Sequence, residues 1–365
     1  MRILFLSDLY PEQINLYKDP LVFDKQDSLK ILEKTQGWSH MMINGLKVLG
    51  HEVFPLLVLP GFDMSSQKSI FSEIYKFNPN IIIVENARLL SPIQIKELRD
   101  HLYECIFITH SCSKIKDGPI IFEYYDKVLC CSPYFYKSLP LNNEKKVIFY
   151  NACPEKGFEI VKKNLNQINN KCTFFGSLYR KIHDNRKGLL SYLLSRNLPI
   201  DIYSSSKGST NLSPIINKIS KFSFSKKLVT YLNKLEEITF NLQYPKLKNL
   251  LPPSFDAQML TKLSSYNCCL NVHTEAANGY AANLRLFECA SVGTCIITEH
   301  FPNISDLFKP GEEVLTYSSK EECFEKIQYC LNNPSFSRSI GAKAKLRALN
   351  EHTYLSRVKN LTFSS

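Results

Sequence analysis

The feature that most constrains this chain is a series of short apolar runs, each followed by a longer amphipathic stretch. "RILFLS" (2–7), "EVFPLLV" (52–58), "NIIIVEN" (80–86), "CIFITHS" (105–111), "VLCCS" (128–132) and "KVIFYNAC" (146–153) read as buried strands. Between them, "IFSEIYKFNP", "PIQIKELRDHLY", "PIIFEYYDK" and "PYFYKSLP" read as helices, and the segment from Gly37 places Met41, Leu46 and Leu49 at helical spacing before a capping Gly50. Strands alternating with helices predict a parallel, doubly wound sheet. This first domain covers residues 1–155.

Residues 156–170, "KGFEIVKKNLNQINN", read as a polar linker. A second α/β series follows over 171–340: "CTFFGS", "DNRKGLLSYLLSRN", "PIDIYSS", "AQMLTKLSSYN", "CCLNVHT", "AANLRLFECASVG" and "TCIITEH". Residues 204–255 show the least regular pattern, and 341–365 read as a C-terminal helix. The predicted architecture is therefore α/β, with two tandem Rossmann-like domains facing across a cleft.

In such sheets ligands lie beyond the carboxyl ends of the strands, so the residues just after strands are the candidates. Asp8 ends the first strand, and the polar insert after it (9–36) is a functional-loop candidate. His110 ends "IFITH" and suits a general base or a hydrogen-bond donor to a transferred group, with a structural histidine as the alternative. His40 precedes the first long helix, and "NVHTE" brings His273 and Glu275 to a strand end in the second domain. In "FFGSLYRKIHDNRK", Gly176 and Ser177 allow close backbone approach, and Arg180, Lys181 and Arg186 can neutralise phosphate charge. Arg180 is favoured there for its bidentate geometry.

"AANLRLFECASVG" places Arg285 and Glu288 three apart in an otherwise apolar helix capped by Asn283. The spacing also suits a plain i,i+3 ion pair. A helix apolar nearly all round is buried, however, and buried charges need a reason. Its N-terminus, from Leu284, offers free amides and the positive end of the helix dipole to a phosphate. Glu288 lies about 7.5 Å further along the axis, the reach from a diphosphate to its ribose.

"CCLNVHTEAANGYAANLRLFECASVGTCIITEHFPNISDLF" resembles the signature of the group 1 glycosyltransferases with the GT-B fold, and is similar above all to their CgeB-like (spore-maturation protein) branch. "CTFFGSLYR" and "GLKVLGHEV" resemble the opening of the donor domain and the first helix of the acceptor domain. The resemblance implies that Glu288 binds the donor ribose and that Ala281–Arg285 meet the diphosphate. It implies that the last helix crosses back onto the first domain. Many relatives carry a second Glu near the donor sugar, eight residues before the ribose Glu; that position is Tyr280 here.

The net charge of +11 favours acidic partners, without any nucleic-acid module signature. The twelve cysteines are irregularly spaced and lack a C-x-x-C pair, so they read as reduced thiols of a cytosolic protein. No P-loop, G-x-G-x-x-G, G-x-S-x-G or D-x-D motif is present. The expectation is a cytoplasmic, metal-independent transferase with no cofactor. It moves a sugar from a nucleotide-diphosphate-sugar co-substrate, UDP-linked for example, to a hydroxyl on a glycan, a lipid-linked saccharide or another acceptor. Peripheral contact with the inner membrane face through the basic surface fits the charge. A sugar-nucleotide epimerase of the same fold and a non-catalytic two-lobed binding protein are the alternatives.

Overall fold

The computed structural model describes residues 1–8, 38–58, 68–112, 119–160, 168–178, 183–204 and 226–361. The chain divides into two compact units, Met1–Glu155 with Leu349–Ser365, and Lys156–Ala348.

Unit 1 is built on a six-stranded parallel sheet: β1 Arg2–Asp8, β2 Glu52–Val58, β3 Ile81–Val84, β4 Ile106–Ser111, β5 Lys127–Cys130 and β6 Lys146–Ile148. The spatial order is β2-β1-β3-β4-β5-β6, so the direction of winding reverses between β1 and β3. Every residue of β3 is buried, which is why its sequence shows an unbroken apolar run rather than alternation. Helix α1, Trp38–Val48, presses Met42, Ile43 and Leu46 into the core. It ends as the sequence predicts. Gly50 takes φ +85, its N–H bonds Lys47 O and that of His51 bonds Leu46 O, a Schellman closure. The remaining helices are α2 Lys68–Phe77, α3 Pro92–His101 and α4 Pro133–Ser138. α3 begins with a complete capping box between Ser91 and Gln94. The "KVIFYNAC" strand is shorter than expected, since pairing stops at Ile148.

Helix α5, Glu155–Ile160, runs into the predicted linker, and in unit 2 strand β7 starts early, spanning Asn169–Phe175. It pairs with β8 Ile200–Tyr203, β9 Tyr266–Asn271, β10 Cys295–Glu299 and β11 Leu315–Tyr317 in the parallel order β11-β10-β9-β7-β8. Winding reverses between β7 and β9. Helix α6, Asp184–Ser195, follows β7. Within the irregular stretch lies an 18-residue helix, α7, Lys226–Gln243, which the sequence reading missed. Leu228, Leu232 and Leu235 carry its period, obscured by Lys- and Ser-rich flanks. Helices α8 Asp256–Ser264 and α9 Leu284–Val292 pack together, with α9 against β9 and β10. Helix α10, Lys320–Asn332, packs against α6 and against β7, β9, β10 and β11.

The end of the chain is two helices, not one. α11, Pro334–Glu351, stops before His352, and Thr353 caps α12, Tyr354–Lys359, through Ser356 N–H at 3.1 Å. Tyr354 and Val358 join the core of unit 1 beside Met42 and Leu46. The approach is close at Gly45, where a Cβ would meet Leu355 N at 3.3 Å.

Eleven of the cysteines are buried, Cys112 is exposed, and none is bonded to another. No helix among the described residues is long and apolar enough to cross a membrane.

Candidate active site

The winding reversal of unit 2 collects most of the predicted residues. Gly176 follows β7, and its N–H bonds Tyr203 O at 3.1 Å. A Cβ there would lie 2.8 Å from the Phe174 ring, so the need for glycine is set by that ring. Ser177 O accepts from Arg186 Nη1 at 3.1 Å. Arg186 is buried on α6 and also grips Val272 O, with Nε at 3.1 Å and Nη2 at 2.8 Å. Its guanidinium thus ties the loop after β7 to the loop after β9. The sequence reading offered Arg186 to a phosphate; in the structure its guanidinium is spent on backbone carbonyls inside the fold. Burial lowers its pKa to about 10, so it stays cationic near neutrality. Arg180 and Lys181 lie outside the described residues.

Arg285 and Glu288 do pair, with Nη1 2.6 Å from Oε2, and the pair is largely buried. Arg285 Nε also donates to Phe175 O at 3.3 Å, and the guanidinium touches the Met259 sulfur and faces the Phe175 ring. Arg285 is therefore a strut from α9 to the end of β7. Burial raises the Glu288 pKa, and Arg285 works against that rise.

Asn283 holds the N-cap position of α9 but makes no side-chain cap, a correction to the sequence reading. Its Nδ2 donates instead to Asn271 Oδ1 at 2.6 Å, and Oδ1 is buried without a hydrogen-bond partner among the described residues. The competition is won by the Asn271 amide, which needs a donor inside the fold. The first turn, beginning at the half-buried Leu284, is left without a side-chain cap.

His273 is buried next to this network. Its Nε2 lies 3.1 Å from Thr298 Oγ1, and Nδ1 accepts from Ala282 N–H at 3.4 Å. Burial, and then Arg186, push its pKa down to about 3, so the ring is neutral. It holds the loop that leads into α9. Tyr280, half-buried in that loop, follows the left-handed Asn278 and Gly279 and bonds Ala277 O through its N–H.

Two further residues of this region escaped the sequence reading. Asn303 clamps Ala281 through both backbone groups, at 2.7 and 2.8 Å. Glu299, at the end of β10, accepts from His273 N–H at 2.6 Å, and burial raises its pKa to about 7 against the pull of that bond and of Arg186. Its place at a strand's carboxyl end was the available signal.

Unit 1 carries the remaining candidates at its own winding reversal and one strand further on. Ser7, near the end of β1, lies 3.1 Å from Ser39 Oγ and hydrogen-bonds to Glu85, the residue after β3. Glu85 and Ser39 were not anticipated. Asp8 is the last residue of β1, paired in register with Val58, and its side chain lies outside the description. His40, on the first turn of α1, lies 3.1 Å from Asn44 Nδ2 through Nε2. His110 sits on β4 opposite Leu129, buried, with its pKa pushed down to about 4 by burial. It is a neutral imidazole at ordinary pH. Among the described residues no cluster of three or more His, Cys, Asp or Glu could hold a metal ion.

Residues 227–362 match the glycosyl transferase-like family. A glycosyltransferase from Rickettsia africae ESF-5 shares the fold with a TM-score of 0.60, at 12% identity over 98% of this chain and 96% of that one. HepE of Anabaena, crystallised with UDP and glucose, has a TM-score of 0.60 at 10% identity, covering 98% of this chain and 97% of its own. Sequence and fold point the same way: a GT-B fold whose second half matches the glycosyl transferase-like family. Sucrose-phosphate synthase of Thermosynechococcus elongatus adds a third relative in fold, with a TM-score of 0.58, 13% identity and coverage of 98% and 96%. No curated protein sequence matches the chain. In unit 2 the uncapped first turn of α9 lies beside the largely buried Arg285–Glu288 pair.

Proposed function

We propose that the protein transfers a sugar from a nucleoside-diphosphate sugar to an acceptor hydroxyl, with the nucleotide held at the β7/β9 reversal of unit 2. The observation that carries this reading is a buried Arg285–Glu288 pair at the start of a helix whose N-cap residue turns its side chain elsewhere. Amides of the α9 first turn receive the diphosphate, helped by the helix dipole. Glu288 accepts the ribose hydroxyls. Its buried carboxylate gains hydrogen bonds there that burial denies it in the free protein. Arg285 favours the ionised form of Glu288 against the effect of burial and places positive charge beside the leaving group as the glycosidic bond breaks. The chemistry needs no metal on this reading, because helix amides and guanidinium carry the charge stabilisation.

Gly176 and Ser177 line the approach after β7, and Tyr280 lies toward the donor sugar. The acceptor binds to unit 1, where Ser7, Asp8, Glu85 and His110 lie at strand ends and His40 on the first turn of α1. With its pKa near 4, His110 orients a hydroxyl by hydrogen bonding more readily than it removes a proton. UDP-sugars are the donors to test first, since the Anabaena relative was crystallised with UDP. Membership of the CgeB-like branch, and a site of action at the inner membrane face, belong to the same proposal.

The test is calorimetric titration of UDP into wild type and Glu288→Gln, with a UDP-sugar panel assayed for UDP release and for glycosylated product. Loss of one charged hydrogen-bonding group lowers UDP affinity about 10- to 100-fold. Unchanged affinity refutes the assignment of Glu288. Epimerised sugar nucleotide in place of a transferred sugar refutes the transferase reading.

A further inference from the structure

Side chains alternate along a strand, so each end of the unit 2 sheet presents two separate faces. Asn271, His273 and Thr298 form a network on the side of α9. Val272 and Tyr317 belong instead to the core on the side of α6 and α10, and Glu299 shares that parity with Ile297. On this second face lies a cavity of about 510 Å³, within the range of ordinary small-molecule sites. Its walls are Val272, Glu299, Tyr317, Leu189, Phe301 and Asn185, and the Ser318–Lys320 turn forms one rim.

Two polar groups there have capacity to spare. Tyr317 is only 6% exposed, and its hydroxyl has no hydrogen-bond partner among the described residues. Glu299 receives the His273 N–H on Oε2 alone, and a carboxylate accepts several bonds. Anions fit poorly. One amide at the start of each of α6 and α10 is already engaged, Asn185 N–H by Glu275 Oε1 at 3.2 Å and Glu322 N–H by Ser319 Oγ at 3.1 Å. Glu299 would also repel them. Cations meet Arg186, electrostatically coupled to Glu299 from within, and Lys320 at the rim. A neutral ligand that both donates and accepts, with an apolar face for Phe301 and Leu189, suits these walls and the His300 that also lines the cavity.

We propose that this cavity is a saccharide-binding subsite, in which sugar hydroxyls bond the Tyr317 hydroxyl and the Glu299 carboxyl while a ring face lies on Phe301. It is separate from the nucleotide site proposed above, because the intervening sheet puts the two on opposite faces. Its chemistry stands whether or not the chain transfers sugar.

The experiment is saturation-transfer NMR on the full chain with methyl α-D-glucopyranoside, methyl α-D-mannopyranoside and methyl β-D-galactopyranoside, each with and without excess UDP. At least one glycoside is expected to bind, and to stay bound when UDP is added. Tyr317→Phe keeps the ring and the fold, and weakens that glycoside about tenfold. Asn185→Ala, at the exposed rim, weakens it without touching the core, whereas Glu288→Gln leaves it unchanged. The proposal is overturned if no glycoside binds, if Tyr317→Phe binds as wild type does, or if UDP displaces the sugar. Binding of inorganic phosphate in place of the glycosides overturns it as well. A failure of the nucleotide reading appears elsewhere, as absence of UDP binding.

Discussion

The two units wind their sheets by the same rule and line their reversal points with opposite chemistry. In unit 1 the reversal between β1 and β3 brings together Ser7, Ser39 and the Glu85 carboxylate. In unit 2 the reversal between β7 and β9 is spanned by Arg186 and braced by Arg285, both bonded to backbone carbonyls. One topology thus presents hydroxyl and carboxylate groups in one place and fixed guanidinium groups in the other. Topology selects where a ligand sits, and the side chains that close the loops select what it is.

The sharpest way to break the comparison is Arg186→Ala. It strips the donors from two carbonyls in a buried setting, and unit 2 should lose about 3–5 kcal/mol in urea unfolding. Arg186→Lys keeps the charge but not the fork, and should lie between. A loss below about 1 kcal/mol for the alanine variant would show that the loops do not depend on this residue.

Next in size is Gly176→Ala. The added methyl meets the Phe174 ring at 2.8 Å, and overpacking of this kind costs about 1–3 kcal/mol. Its unit 1 counterpart, Gly45→Ala, meets Leu355 N at 3.3 Å and should cost less. Thermal melts of both variants test that order, and equal losses would contradict it.

The smallest effects lie in pH dependence, where the buried histidines of both units and the buried Glu299 of unit 2 carry opposite signs. The unfolded His110 titrates near 6.5 and the folded one near 4. As pH falls through this window the unfolded chain takes up a proton that the folded chain refuses, so stability declines toward acid. Buried His273, near 3 in unit 2, acts in the same direction. Glu299 moves from 4.5 unfolded to about 7 folded, so its contribution is intact below the lower value and is lost as pH rises through the upper one. His110→Gln should flatten the acid side of a urea-midpoint profile, and Glu299→Gln the side between 4.5 and 7. Parallel profiles for wild type and either variant would sink the corresponding assignment.

Much of the site was legible because strand ends are legible. Gly176, Ser177, His273, Asn283, Arg285 and Glu288 fall at strand ends or at the following helix start, and the fold gathers them in unit 2. Their partners were not legible. The Asn283 side chain prefers the Asn271 amide to its own helix, a choice made by a residue 12 positions away. Arg186 resembles any member of a basic loop until its carbonyl acceptors are known. Glu299 ends a strand like many acidic residues, and only burial beside Arg186 makes it unusual. Helix α7 was missed because polar flanks mask a short-range period.

What the sequence determined by itself is the α/β class, the two series of strands, and the strand ends where chemistry collects. Those rest on local periodicity, set by bonds within a few residues. Only tertiary structure decided that Arg285 braces Phe175, 110 residues away, and that Arg186 reaches Val272, 86 away. Those pairings depend on burial and on which carbonyls would otherwise lack donors, and no local pattern encodes that.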